Sequence, residues 1–277
     1  MTGQEPLLTV GFNRLKACRH GWMLYNVNDI YIGRSLDLYG EYSEGEIALF
    51  RQFLRPGDVV VEVGANIGTH TVFFAKTVGP TGVVFAFEPQ RVVHQTLCAN
   101  IALNSLSNTY CIQAAIGEKD GWIVAPLLDY SSPNNFGGVS LGGSRAGEHV
   151  RMMTLEGMQS DQCRLIKVDV EGMEKEALLG AARWIEKFRP ILYVENDRPE
   201  KSAELITHIL GLGYRLYWHV PALFQAENYF KNETNVFGNI VSLNMLCIDA
   251  ALRWDIQGLA EVRGPEDRWQ DVALRAG

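Results

Sequence analysis

The chain has 277 residues, 47% of them hydrophobic and 21% charged, which is the balance of an ordinary globular protein able to bury a full core without disulfides or a structural metal. Its net charge of −7 argues against nucleic acid as the main partner, because phosphate binding needs a basic surface.

In chain order, residues 1–40 read as an N-terminal extension, in which 22–25 and 29–32, separated by Asn26–Asn28, predict a hairpin. Residues 44–54 carry Ile47, Leu49, Phe50, Phe53 and Leu54 at helical spacing, and Arg55-Pro56-Gly57-Asp58 stops that helix. An alternation then begins: strand 59–63, helix 68–78, strand 83–87, helix 92–103, strand 110–115. It pauses over 117–163, where 129–147 is rich in Gly, Ser and Asn and shows no period. Such a stretch inside a domain is usually functional or mobile. The alternation resumes with strand 165–168, helix 174–187, strand 191–195 and helix 201–210. Residues 214–220 and 240–248 close it as two strands able to pair antiparallel, with an aromatic insertion at 221–239. The last residues, 253–277, read as a polar tail or terminal helix. Valine- and isoleucine-rich strands separated by helices predict an α/β fold with a parallel sheet covered on both faces.

The five cysteines, Cys18, Cys98, Cys111, Cys163 and Cys247, form no CxxC pair. They read as free thiols of a reducing compartment. No apolar run approaches the ~20 residues of a membrane span, and the first residues lack a signal-peptide core. A cytoplasmic protein without a membrane partner is expected.

The sharpest motif is Glu62-x-Gly64-x-x-x-Gly68, at the junction of a buried strand and a helix. Glycine lets the backbone approach a ligand, and the helix start offers free N–H groups. Dinucleotide enzymes use a tighter GxGxxG. The wider spacing and the acid at Glu62 disfavour a pyrophosphate and suit a cofactor bearing an ammonium, such as S-adenosylmethionine. Glu88 ends the next strand, where a carboxylate can accept hydrogen bonds from ribose hydroxyls. The same geometry serves NAD, so Glu88 alone does not discriminate.

A second constellation, Lys167-Val168-Asp169-Val170-Glu171-Gly172, falls at the carboxyl end of the resumed sheet, the edge where open α/β sheets bind ligands. Asp169 and Glu171, two apart, point the same way on an extended backbone. They can position a substrate, hold a cation through oxygen, or raise one another's pKa for base catalysis. Glu195 ends the neighbouring strand, and His219 follows the aromatic run Tyr214–Trp218. His70, inside the cofactor helix, reads as packing beside the cofactor.

In this order the motifs resemble those of the FkbM-type methyltransferases, over roughly residues 40–250. The resemblance rests on Val61–Gly68, Phe87-Glu88-Pro89, Ile166–Gly172 and Val194-Glu195. It implies a Rossmann-like three-layer sandwich with a mostly parallel seven-stranded sheet and an antiparallel edge strand, spanning a methyltransferase domain at 41–252. It implies methyl transfer, usually to oxygen, with S-adenosylhomocysteine as product. It also implies that Glu62, Gly64, Ala65, Asn66, Gly68 and Thr69 line the methionine and sulfonium end, with Glu88 on the ribose. Glu41 and Tyr42, after Gly40, match an element that closes over the cofactor. The adenine would sit near Gln113, Ala114 and Ala115, although an acid is common at that place in related enzymes.

On this reading Asp169, Glu171, Glu195 and His219 surround the acceptor hydroxyl, one of them acting as base, and Asp169 also borders the cofactor. Residues 117–163 and 221–239 would form the lid. A magnesium ion at Asp169 and Glu171 is compatible with the pattern but not expected. The acceptor would be a small molecule or carbohydrate; Tyr217, Trp218, Phe224, Tyr229, Phe230 and Phe237 suit a stacking surface or a homodimer interface equally. The alternatives are a nicotinamide-dependent oxidoreductase and a non-catalytic cofactor-binding protein.

Overall fold

The computed structural model describes residues 5–141, 143 and 146–270. Three short strands, β1 (Leu8–Val10), β2 (Asn13–Cys18) and β3 (Gly21–Asn26), form an antiparallel sheet. The expected hairpin between 22–25 and 29–32 is not formed: β3 pairs back onto β2 instead. Asp29 is the reason. Its Oδ1 accepts the N–H groups of Tyr31 (2.9 Å) and Ile32 (3.1 Å), which favours a helix start. The chain therefore enters α1 (Ile32–Tyr39) where sequence pattern predicts a strand.

The alternation follows as α2 (Glu44–Phe53), β4 (Val59–Val63), α3 (Thr69–Val78), β5 (Val83–Phe87), α4 (Arg91–Leu103) and β6 (Thr109–Ile112). The predicted strand 110–115 is shorter than expected, because the Ala114 N–H turns back to Ile112 O (3.0 Å). Beyond that turn β7 (Ala115–Ile116) joins a separate three-stranded sheet with β8 (Gly121–Ala125) and β9 (Glu148–Met153). The 117–163 region thus carries strands at both ends. Its sequence hid them because exposed and buried positions alternate weakly there, with Trp122 standing in solvent.

Next come β10 (Leu165–Val168), α5 (Glu174–Gly180), α6 (Ala182–Phe188), β11 (Ile191–Glu195), α7 (Pro199–Gly211), β12 (Tyr214–His219), β13 (Asn244–Asp249) and β14 (Ala260–Glu261). The helix expected over 174–187 is broken at Ala181 into α5 and α6.

The main sheet has the order β14-β12-β13-β11-β10-β4-β5-β6. Strands β6, β5, β4, β10 and β11 are mutually parallel. Strand β13 is antiparallel to β11 and to β12, so β12 runs with the parallel set. The seven expected strands are all there, joined by the two-residue β14 as an antiparallel edge. The reversed β13 lies inside that edge: the chain leaves β12 at the carboxyl end of the sheet, re-enters from the same end, and fills the gap beside β11.

Both faces are covered. Val61, Phe85, Ile166 and Leu192 belong to one apolar layer, and Val60, Val84, Leu165 and Tyr193 to the other. This is a three-layer Rossmann-like sandwich, and its central parallel strands are apolar apart from Glu62 and Lys167, because neither face meets water. At the C-terminal end Val262 is buried and Trp269 packs on the core, so the described part of the expected tail is partly tied down; residues 271–277 fall outside the described chain.

Candidate active site

The strand order reverses direction between β4 and β10, so a crevice opens at their carboxyl ends. Gly64 follows β4 with φ +87°, a left-handed conformation, and a Cβ there would stand 1.8 Å from the Asp169 carbonyl oxygen. The two loops touch backbone to backbone, which only glycine permits. Asn66 is also left-handed (φ 50°), and its N–H donates to Glu88 Oε2 (3.0 Å). The other Glu88 oxygen accepts the Gln90 N–H (2.8 Å). Glu88 thus fastens the glycine loop to the end of β5 while bordering two connected cavities.

The narrower cavity is bounded by Glu88, Gln90, Ala114, Ala115, Val170 and Met173. Of the three residues expected near the adenine, Ala114 and Ala115 line this cavity and Gln113 does not. The broader cavity, about 450 Å³, is lined by Tyr42, Glu62, Gly64, Ala65, Asn66, Thr69, Glu88, Asp169, Glu171 and Glu195, all expected site residues.

Its floor is Lys167, which lies inside a buried strand and is 1% exposed. Burial alone would lower the ammonium's pKa, but Asp169, Glu46 and Glu62 hold it above the usual lysine range. Lys167 Nζ donates to Asp169 Oδ2 (2.8 Å). Glu62 accepts the Thr71 hydroxyl (2.6 Å), and burial raises its pKa to about 7 against the opposing pull of Lys167. Burial likewise raises Glu88 to about 7, against the backbone donors from Gln90 and Asn66. At the mouth, burial and then Asp169 and Asp197 raise Glu171 to about 8, although Arg198 pairs with it. Glu195 is raised well above the ordinary range, first by burial and then by Asp169, Glu171 and Asp197.

Four expectations fail. His219 does not face this cavity; it opens on a different cleft, beside Arg253 and Trp254. Its Nδ1 pairs with the buried Tyr193 hydroxyl (2.8 Å), and burial lowers its pKa to about 4. His219 stands level with Asn244 and Glu195 across β12, β13 and β11, but it lies two strands from Glu195 and its ring turns to Tyr193, away from the cavity that Asn244 and Glu195 line. Glu41 is buried but spent elsewhere, accepting Arg19 Nε (2.7 Å) and the Tyr229 N–H (2.7 Å), so it anchors the 221–239 insertion. Gly68 shapes the loop without lining the cavity: it is left-handed (φ +90°), and a Cβ would meet Leu97 Cδ1 at 2.6 Å. Finally, none of the six aromatics lines the cavity. Tyr217 and Trp218 are core, and Phe224, Phe230 and Phe237 pack around α1. Tyr31, Tyr42 and His70 are the rings that do line it.

Glu46 and Asn244 join the site without any sequence motif that marks them, and His70, expected to pack beside the cofactor, joins them. Glu46 and His70 line the broad cavity, with Glu46 Oε2 3.7 Å from His70 Nε2. Glu46 Oε1 accepts the Ser43 hydroxyl (2.8 Å) and Asn244 Nδ2 (3.3 Å). A glutamate in an otherwise amphipathic helix carries no distinguishing sequence signal; Lys167, charged in the middle of a buried strand, was the one legible clue.

A crevice at the switch point, a glycine loop without room for a side chain, and a strand-end carboxylate define a nucleotide-cofactor α/β enzyme. Residues 62–216 match the model of the methyltransferase FkbM domain, and the chain belongs to that family. Among curated proteins it is similar to the 31-O-demethyl-FK506 methyltransferase FkbM of Streptomyces tacrolimicus, 28% identical over 207 residues, covering 62% of this chain and 78% of that one. Among solved structures it is similar to a methyltransferase FkbM from Methylobacillus flagellatus, at 17% identity and TM-score 0.47. That match covers 72% of this chain and 50% of the other, so the chain spans about half of that relative's length. It is also similar to a SAM dependent methyltransferase from Aquifex aeolicus, at 15% identity and TM-score 0.41, covering 77% and 92%. The family assignment replaces the oxidoreductase alternative. Among the described residues, no helix is long and apolar enough to cross a membrane.

Proposed function

We propose that the protein methylates a hydroxyl group of a small molecule or sugar, with S-adenosylmethionine as donor. The observation that carries this reading is the union of the two cavities along Gly64, Glu88, Asp169 and Glu171: an apolar slot at one end and a carboxylate-lined mouth at the other. The curated relative's printed name, a methyltransferase acting on a 31-O-demethyl compound, supports an oxygen acceptor.

Ala114, Ala115, Val170 and Met173 would flank the adenine, and Glu88 would accept the ribose hydroxyls. Glu62, Asn66 and Thr69 would face the methionine end. When bound, the cofactor supplies a methyl group on a sulfonium, already joined to an excellent leaving group. The chain's task is alignment and exclusion of water. Asp169 and Glu195 accept hydrogen bonds from the acceptor and aim its oxygen, and one of the two takes the hydroxyl proton as the bond to the methyl carbon forms, while Lys167 fixes the Asp169 carboxylate from below. Residues 129–141 and 221–243 cover the cleft: Asn135, Gly137, Leu223 and Ile240 line it, and Ser140 Oγ donates to Glu171 O (2.9 Å). These segments are the lid on this reading, over a methyltransferase domain at 41–252.

The test is two measurements. Calorimetric titration should show S-adenosylhomocysteine binding and no NAD binding. Methyl transfer from labelled S-adenosylmethionine to a panel of hydroxylated small molecules and sugars should give labelled methyl ethers. Full turnover by both Asp169→Ala and Glu195→Ala on the accepted substrate would overturn the assigned roles.

A further inference from the structure

Asp169, Glu171 and Glu195 come from three different loop or strand ends, yet each offers a carboxylate oxygen within 4.8 Å of the others. Two cations approach this group, and each takes one oxygen only. Lys167 holds Asp169 Oδ2, and Arg198 holds Glu171 Oε2. The second oxygen of each carboxylate has no protein donor among the described residues. An acidic cluster alone is unremarkable on a protein surface. Here a separate fact applies: Glu195 Oε2 is shut off from solvent and accepts no hydrogen bond, although its residue lines the cavity mouth. Asp197 Oδ1, beside it, is in the same condition. A buried carboxylate oxygen without a donor is costly if left so, and a group of them persists where something positive completes it.

The surrounding charge says what that something is. Asp169, Glu171, Glu195 and Asp197 stand against Lys167 and Arg198, which leaves two negative charges uncompensated at full ionisation; Glu46 and Glu62 also draw on Lys167. Every offered atom is a carboxylate oxygen. Hard oxygen donors without nitrogen or sulfur select magnesium, manganese or calcium over zinc or copper.

We propose that Asp169, Glu171 and Glu195 bind one divalent cation at the acceptor mouth, where it meets the acceptor oxygen. This rests on the hydroxyl-acceptor reading above for the acceptor's identity, but the cation site itself does not. The cation orients the acceptor hydroxyl and lowers its pKa, as bound metal does for water. Glu195 Oε2 gains the partner the fold withholds from it. Lys167 and Arg198 keep Asp169 and Glu171 from turning away.

The test uses manganese as probe on the full chain after treatment with EDTA. Electron paramagnetic resonance titration should show one saturable Mn²⁺ per chain, displaced by Mg²⁺. Glu195→Gln and Glu171→Gln should each weaken it at least tenfold. S-adenosylhomocysteine titration of the same samples reports whether each variant is folded. No saturable Mn²⁺ in a wild-type sample that binds S-adenosylhomocysteine would overturn the proposal. So would unchanged Mn²⁺ affinity in folded Glu195→Gln. Mn²⁺ bound at a Glu195-dependent site, without any S-adenosylhomocysteine binding, would uphold the cation site and sink the methyl-transfer reading instead.

Discussion

The cofactor half and the acceptor half of the cleft are built by different means. The cofactor half is local and largely backbone: Gly64, Asn66 and Glu88 lie within two consecutive βα units, and Glu88 spends both oxygens on main-chain N–H groups. The acceptor half is assembled from afar, out of α2, β10, β11 and the 221–243 segment, and its contacts are side chain to side chain. A site made of backbone is fixed by the fold itself, whereas one made of side chains depends on each residue separately. The two halves should therefore fail in different ways when altered.

The largest effect is expected at the seam between them. Gly64→Ala would force a Cβ to within 1.8 Å of the Asp169 carbonyl while holding alanine at φ +87°. Backbone strain and overpacking together predict a loss on the order of 3–5 kcal/mol. Thermal melting should fall by roughly 10 °C, and S-adenosylhomocysteine should no longer shift it. A variant that still melts and binds like the parent would show that the two loops do not meet as described.

Glu88→Gln tests the cofactor half alone. The amide keeps the shape but loses the charge that accepts two backbone donors and the ribose hydroxyls. At about 1.5–3 kcal/mol for charged hydrogen bonds, S-adenosylhomocysteine affinity should drop roughly 10- to 100-fold. Binding of manganese at the acceptor mouth should not change. Equal loss of both would mean that the halves are coupled.

The pH dependence of cofactor binding separates them further. Burial raises Glu88 and Glu62 to about 7, so both take up a proton more readily in the folded chain than in the unfolded one. Their contribution to stability is therefore greatest at low pH and is lost as pH rises from the unfolded value near 4.5 through 7. Ribose hydroxyls and an ammonium favour the ionised carboxylates. Binding should thus release protons, and S-adenosylhomocysteine affinity should rise between about pH 6 and 8. Calorimetry in two buffers of different ionisation enthalpy measures that release; proton uptake on binding would contradict the assignment.

The same contrast explains what was legible in the sequence. Glu62, Gly64 and Glu88 sit at strand ends, where chain order and spatial order coincide, so motif and strand pattern located them. Asp169 and Glu195 were legible for the same reason, one at each of two neighbouring strand tips. Glu46 and Asn244 were not, because their neighbours arrive through helix packing and the late insertion of β13 beside β11, which no local period records. The 117–163 strands were hidden by half-exposed positions, and the N-terminal hairpin was misplaced because Asp29 acts through two backbone donors rather than through periodicity. His219 was misread because aromatic neighbours mark a strand without saying which cleft it faces.

His219 accordingly gives the smallest expected effect, and the most useful one for separating packing from chemistry. Its Nδ1 pairs with the Tyr193 hydroxyl at 2.8 Å, and Tyr193 is itself buried against Phe50. With its pKa lowered to about 4, the imidazole is neutral at physiological pH and gains nothing from the site's carboxylates. His219→Phe removes one hydrogen bond to a hydroxyl that also engages Asn244, a cost of about 1 kcal/mol. Melting should fall by a few degrees, with turnover and S-adenosylhomocysteine affinity within about threefold of the parent. A base in direct contact with the acceptor would instead be worth about 10²- to 10⁴-fold in turnover. A loss of that size with unchanged stability would return His219 to the chemistry and require β12's tip to turn toward the acceptor mouth.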